Sequence, residues 1–335
     1  QEKIRNYKMQ TPIKYVIITP VRDEINYIEH TLSSVIEQTS VPVQWIIVDD
    51  GSTDGTGEIL DKYFKIYDWI TVIHRPDRGS RKSGGGVIEA FYDGYNCIKY
   101  SNWDFLVKLD GDLSFSSDYF QKCFDEFERE PKLGIGGGAV CALINGEGKE
   151  ESSGDPLFHV RGATKIYRRS CWDKINPLVW APGWDTIDEV KANFYGWTTR
   201  TFKNIALIQH KATGIADGKW QNWFKNGRAN YITGYHPIFM LAKCLKRALS
   251  KPPLAVSIAL WAGFCSGYLK GISQVEDDSV IHYLRRQQVL CLMNRHSIYT
   301  PIGDKIRLEK RGSSRINVKK ILRDHFLRDI LSRLV

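Results

Sequence analysis

The 335 residues suffice for one large domain with an appendage, or for two domains, and 42% hydrophobic with 25% charged residues make a packed core the expectation. Seven scattered cysteines without a CxxC pair exclude a zinc site or a disulfide framework and fit a reduced, cytosolic setting. The net charge of +9 is uneven: residues 303–335 carry ten Lys/Arg against four Asp/Glu, which suits nucleic acid or an anionic membrane surface.

The polar stretch 1–14 shows no secretory signal. Tyr15-Val16-Ile17-Ile18-Thr19-Pro20 is a short apolar run ending at proline, the pattern of a buried strand. Helical spacing follows over 24–38 (Ile25, Ile28, Leu32, Val35, Ile36), then a second strand, Trp45-Ile46-Ile47-Val48, runs into Asp49-Asp50-Gly51-Ser52. A helix over 56–67, a strand over 70–73 and a helix over 87–100 lead to Phe105-Leu106-Val107-Lys108-Leu109, which runs out into Asp110-Gly111-Asp112. Strands alternating with helices predict a mainly parallel sheet with helices on both faces, and ligands bind such sheets beyond the carboxyl ends of the strands.

That rule gathers three polar strand ends at one edge: Pro20-Val21-Arg22-Asp23-Glu24, Asp49-Asp50-Gly51-Ser52 and Asp110-Gly111-Asp112. Two carboxylates flanking a residue of minimal bulk suit a hard divalent cation shared with substrate phosphates. A single DxD triplet also serves as an ordinary turn, and the other two ends weigh against that reading here. The loop Arg78-Gly79-Ser80-Arg81-Lys82-Ser83-Gly84-Gly85-Gly86 precedes a helix, where amides and cations favour a phosphate; a solvated loop is the alternative. It matches neither the dinucleotide fingerprint nor the P-loop.

Val48-Asp49-Asp50-Gly51-Ser52-Thr53-Asp54 followed by Leu109-Asp110-Gly111-Asp112 resembles glycosyltransferase family two, of GT-A fold, over about residues 15–113. The resemblance implies a GT-A α/β sheet with a C-terminal helical extension, and a nucleoside diphosphate sugar as donor. Asp50, with Asp49 behind it, would read the nucleobase. Pro20, Arg22 and Glu24 would lie about the nucleoside, with Arg81 and Lys82 near the phosphates. Asp110 and Gly111 would approach the ribose, and Asp112 would meet Mn²⁺ or Mg²⁺ on the diphosphate.

Beyond 120–130, read as a helix, Gly134-Ile135-Gly136-Gly137-Gly138-Ala139-Val140 reads as a strand passing close to other backbone. Val160-Arg161-Gly162-Ala163-Thr164-Lys165-Ile166-Tyr167-Arg168 resembles the family segment that closes the sugar pocket, which brings in Gly162. A helix beginning near Asp185 places Asp188 and Glu189 on or beside its face. Glycosyl transfer with inversion needs a carboxylate to take the acceptor's proton, and any of the three is a candidate base. In the family a Glu-Asp pair stands here with a glycine eleven residues after the Asp; counting back from Gly196 selects Asp185, with Trp184 in place of Glu. Helix capping and first-turn dipole stabilisation are the alternative uses of these acids. His210 follows an apolar run, and the resemblance makes it a candidate metal ligand, beside the ordinary structural role of a lone histidine.

Residues 252–269 lack charge over 18 positions but are diluted by Pro, Ser and Gly and flanked on both sides by cations. An interfacial or partly buried helical hairpin is therefore expected rather than a span. In the tail, Val318, Ile321, Leu322, Phe326, Ile330, Leu331 and Leu334 form an apolar stripe beside Lys319, Lys320, Arg323 and Arg333, suited to anionic lipid or to docking on protein.

The resulting expectation is a catalytic domain over 1–218 (nucleotide half 12–113, acceptor half 114–218), a helical extension over 219–300 and a basic tail over 301–335. Its activity would be metal-dependent, inverting transfer to a hydroxyl of a lipid-linked or surface glycan, at the cytoplasmic face of a membrane. A nucleic-acid-binding protein lacks any supporting signature, so no nucleic acid is expected as a partner. A nucleotidyltransferase would carry a Gly-rich loop directly after the first strand, where Pro20-Val21-Arg22-Asp23-Glu24 stands.

Overall fold

The computed structural model describes residues 12–79, 85–144, 147–150, 155–211, 218–248 and 254–300. In chain order the elements are β1 (Tyr15–Val21), α1 (Ile28–Ile36), β2 (Gln44–Asp49), α2 (Thr56–Ile66), β3 (Ile70–His74), α3 (Gly85–Tyr95), β4 (Phe105–Leu109), β5 (Leu113–Phe115), α4 (Tyr119–Arg129) and β6 (Leu133–Ile144). They continue with β7 (Glu147–Glu150), β8 (Thr164–Arg168), α5 (Arg169–Ile175), α6 (Trp184–Phe194), β9 (Thr198–Gln209), α7 (Gly218–Ile232), α8 (Pro237–Arg247), α9 (Ala255–Leu269) and α10 (Asp278–Leu292).

One sheet runs β3-β2-β1-β4-β8-β6-β9-β5, with β7 paired to β6. Its first four strands are all parallel, as the alternating pattern requires. From β8 onward the sheet is mixed: β8 lies antiparallel to both β4 and β6, while β6 and β9 are parallel. Side chains alternate across each strand, so Tyr15 and Ile17 pack with Leu32, Leu60 and Phe124 on one face. Val16 and Ile18 pack with Ile88, Phe91 and Trp172 on the other. Apolar burial on both faces anchors the sheet, leaving its carboxyl edge to polar groups.

Two helices are shorter than their apolar spacing predicts. The first starts at Ile28 because Asp23 has φ 53 and the Glu24 carbonyl is taken by the Tyr27 and Ile28 N–H groups. The helix expected over 87–100 ends at Tyr95, since Gln44 recruits the backbone beyond it, accepting from the Lys99 N–H at 2.9 Å and donating to the Cys97 carbonyl.

Helices α7 to α10 share a core with Val190 of α6. The closest approach is between α7 and α9: a Cβ on Gly227 would lie 2.0 Å from the Leu260 carbonyl oxygen, and one on Gly263 would lie 2.0 Å from that of Phe224. No helix among the described residues is long and apolar enough to cross a membrane. The tail from 301 onward, with its apolar stripe, lies outside the described residues.

Candidate active site

Parallel register aligns the ends of β1 and β2, with Val21 opposite Asp49, and the Asp50 N–H donates to the Val21 carbonyl at 2.8 Å. The two adjacent aspartates then diverge. Asp49 is buried, accepts from the Ser52 N–H at 2.9 Å and meets His74 Nδ1 at 3.0 Å, so it ties the Gly51–Ser52 turn to β3. Asp50 receives Arg75 at 2.6 Å and also pairs with Arg78, which reaches Glu89 of α3. Arg22 donates to the Asp50 carbonyl at 2.7 Å and pairs with Asp77 at 2.6 Å. Pro20 stays within the sheet opposite Val48. Asp50 and Arg22 thus stand together at this edge, while Arg81 and Lys82 lie outside the described residues.

At the β4 end, Lys108 is almost wholly buried, grips the Asp110 carboxylate and donates to the Gly162 carbonyl at 2.6 Å. Gly111 is dictated by packing: a Cβ there would lie 2.6 Å from Val21 Cγ1 and 3.3 Å from Ile28 Cδ1. Asp112 is 5% exposed; its Oδ2 accepts from Gln209 at 3.1 Å, and its Oδ1 is buried with no hydrogen-bond partner among the described residues. Burial first, then the charges of Asp110 and Glu24, push its pKa up to about 7. Glu24 is paired with Lys211 at 2.8 Å. The His210 N–H donates to the Asp112 carbonyl at 2.9 Å, but its ring bonds Ser114 at 2.9 Å through Nε2 and stacks on His30 at 4.2 Å.

Asp112 carries the mark of a cation cradle: a buried carboxylate oxygen lacking a partner, beside other acids. Such an atom costs free energy that a cation would recover. Among the described residues, however, no three His, Cys, Asp or Glu side chains are gathered to hold a metal ion. The carboxylates therefore suit a cation that takes one or two protein ligands and completes its shell with substrate oxygens and water.

Helix α6 separates its three acids. Asp188 and Glu189 are fully buried. Lys165 reaches Asp188 at 2.7 Å and Glu189 at 2.9 Å; Tyr167 donates to Asp188 at 2.6 Å, and Glu189 also meets His159 Nδ1 at 2.9 Å. Burial opposes the charge on Lys165, but Asp188 and Glu189 outweigh it and hold its pKa above the ordinary value. Burial likewise opposes charge on His159, yet Glu189 brings its pKa up to about 9. Burial pushes the Asp188 pKa up to about 7 against the pull of Lys165, and the four groups form one internal network. Asp185 is only partly buried and, among the described residues, has no side-chain hydrogen bond or ion pair; its carbonyl is held by Lys165. It abuts Gly162, where a Cβ would lie 3.4 Å from Asp185 Oδ2 and 3.0 Å from Trp184 Cζ2. Trp184 lies between Lys108 and Lys165, 5.6 and 5.4 Å from its ring centroid.

Sequence reasoning passed over Lys108, Lys165, Gln209 and Arg75. A lysine inside an otherwise apolar strand, at 108 and again at 165, was the available signal, because a buried cation demands anionic partners.

Carboxylates thus stand at the carboxyl ends of parallel strands, the edge at which open α/β sheets bind ligands. Residues 16–177 match the profile of glycosyl transferase family 2. It is 33% identical over 106 residues to a putative teichuronic acid biosynthesis glycosyltransferase, TuaG, of Bacillus subtilis strain 168, covering 32% of this chain and 38% of that one. It is 31% identical over 112 residues to the poly-beta-1,6-N-acetyl-D-glucosamine synthase of Staphylococcus aureus strain MW2, covering 33% and 25%. The chain thus spans less than two fifths of the length of these relatives. Among solved structures, the mannosyltransferase PcManGT of Pyrobaculum calidifontis, in complex with GDP-Man and Mn2+, aligns over 97% of this chain and 88% of its own at 13% identity and TM-score 0.49. S. aureus TarS 1-349 in complex with UDP aligns over 88% and 78% at 14% identity and TM-score 0.48.

Proposed function

We propose that this chain is an inverting glycosyltransferase that moves a sugar from a nucleoside diphosphate to a hydroxyl of a lipid-linked or surface glycan, presented at an anionic membrane face. The observation that carries the reading is the disposition of Asp185. Its carboxylate, unpartnered among the described residues, abuts Gly162, whose carbonyl is held by the same Lys108 that grips Asp110. The carboxylates assigned here to the donor and to the acceptor are thus linked through Lys108 and Gly162.

In this reading residues 12–113 hold the donor and 114–218 the acceptor. Asp50, presented by Arg75 and Arg78, faces the nucleobase, with Arg22 and Glu24 beside the nucleoside. Asp110 meets the ribose. A Mn²⁺ or Mg²⁺ ion held by Asp112, with Asp110 near, would offset charge on the departing diphosphate. Asp185 accepts the proton of the acceptor hydroxyl as its oxygen bonds to the anomeric carbon. The carbon–oxygen bond to the diphosphate breaks with its electron pair leaving on phosphate, and the sugar inverts. Asp188 and Glu189 act from the interior, fixing Lys165 and so the first turn of α6. His210 positions the β5–β9 edge beside Asp112.

The test is release of nucleoside diphosphate from a panel of donor sugars with Mn²⁺ or Mg²⁺. Asp185→Asn is expected to keep donor binding while slowing turnover by about 10²- to 10⁴-fold. Full turnover in that variant would sink the assignment of the base.

A further inference from the structure

Helices α7 and α8 carry positive charge only, and α9 carries none. Residues 218–275 contain eight Lys/Arg and no Asp or Glu. Within this stretch α8 and α9 form a hairpin, joined where Ser257 Oγ donates to the Cys244 carbonyl at 2.6 Å and the Leu254 N–H donates to that of Ala248 at 2.8 Å. Helix α7 packs behind both. On α9 it is met by Leu260, Gly263 and Gly267; on α8, Arg247 lies 4.9 Å from the Trp223 ring centroid, and Met240 takes a contact from Asn230.

At 100° per residue, Ile238, Leu241 and Leu245 fall on the flank of α8 turned away from α7. Ile258 and Trp261 fall on the corresponding flank of α9, and Tyr268, exposed at its end, also meets the ring of Tyr231 of α7 edge-on at 4.6 Å. Because the hairpin reverses direction, the two flanks turn to the same side and form one face. All six side chains are exposed, from 36% at Trp261 to 63% at Ile238. Scattered exposed apolar residues need no explanation, but two adjacent stripes of them do.

We propose that this α8–α9 face is the seat on which the protein rests on an anionic lipid bilayer. A second protein surface could cover apolar side chains, but a stretch with eight cations and no acid, with Lys246 of α8 and Lys270 at the end of α9 exposed, selects a partner of negative charge. Tryptophan and tyrosine among aliphatic side chains match the boundary between headgroups and acyl chains. Each cation near such a surface adds to the attraction, and the effect is screened by salt. The assignment rests on the membrane-surface part of the proposed function and is independent of the chemistry at Asp112 and Asp185.

The experiment is flotation of the full chain, without donor, on vesicles of phosphatidylcholine with and without phosphatidylglycerol, beside the variant Leu241→Glu/Ile258→Glu. Wild type is expected to float with the anionic vesicles and to be released by salt. The double variant is expected to lower the partition coefficient by about tenfold or more, with unchanged circular dichroism and unchanged donor hydrolysis in solution. Brominated lipid should quench emission in wild type more than in Trp261→Phe. Variant binding equal to wild type overturns the seat and leaves the membrane reading standing. Absence of wild-type binding overturns both, as does a wild-type dimer that the variant dissociates while neither protein binds vesicles.

Discussion

Replacing Asp112 by Asn isolates the carboxylate that the fold buries without completing its hydrogen bonds. Its pKa of about 7 in the folded chain, against an ordinary value of 3.8, means that the folded state holds this proton more tightly than the unfolded state. Stability is then favoured at low pH and lost as pH rises from about 4 through about 7, the opposite of a salt-bridged carboxylate. The shift corresponds to about 4 kcal/mol withheld from the folded state at pH 8 without metal. An Asn amide removes the buried charge and can still accept from Gln209, but it sets an unpaired N–H where Oδ1 was, at about 1–3 kcal/mol. The net expectation is a variant more stable than wild type by about 1–3 kcal/mol at pH 8 in EDTA, and no more stable at pH 5. Urea denaturation at the two pH values, with EDTA or with Mn²⁺, measures this. Mn²⁺ should stabilise wild type at pH 8 and leave Asp112→Asn unmoved. Parallel pH dependence and an equal metal response in the two proteins would refute both the buried charge and the cation cradle.

Lys165→Met leaves Asp188 buried without its cation and Glu189 with His159 alone, and should destabilise the fold by about 3–5 kcal/mol in chemical denaturation; a wild-type midpoint would show the network to be dispensable. Glu189→Gln tests whether that acid serves His159. In wild type the raised histidine pKa contributes stability that is complete below about 6.5 and is lost as pH rises through about 9. The variant should flatten that slope and bring the imidazole titration, followed by NMR, down toward its ordinary range. Gly111→Ala places a methyl 2.6 Å from Val21 Cγ1 and should cost about 1–3 kcal/mol, read as a lower melting temperature even in the absence of donor and metal.

The strand–helix alternation, the parallel half-sheet and the three acidic strand ends were all legible in the linear chain. They depend on local apolar period and on a general rule about the carboxyl edges of such sheets, and both act over short spans. The antiparallel return of β8 between β4 and β6 was not legible, since pairing between strands separated by dozens of residues leaves no local period. The same limit governed the acids of α6. Asp185, Asp188 and Glu189 are chemically alike and nearly adjacent, so spacing alone left the base open among them. Tertiary packing sends two of them to Lys165 and His159 and leaves the third at Gly162, because a carboxylate's role depends on whether the interior supplies it a cation. Asp49 and Asp50 divide in the same way, one into the turn beneath β3 and one onto Arg75 and Arg78. Residue type and order thus placed acids at the edge of the sheet; which of them remain available for chemistry was decided by partners distant in sequence, through burial and charge pairing that only the folded chain brings about.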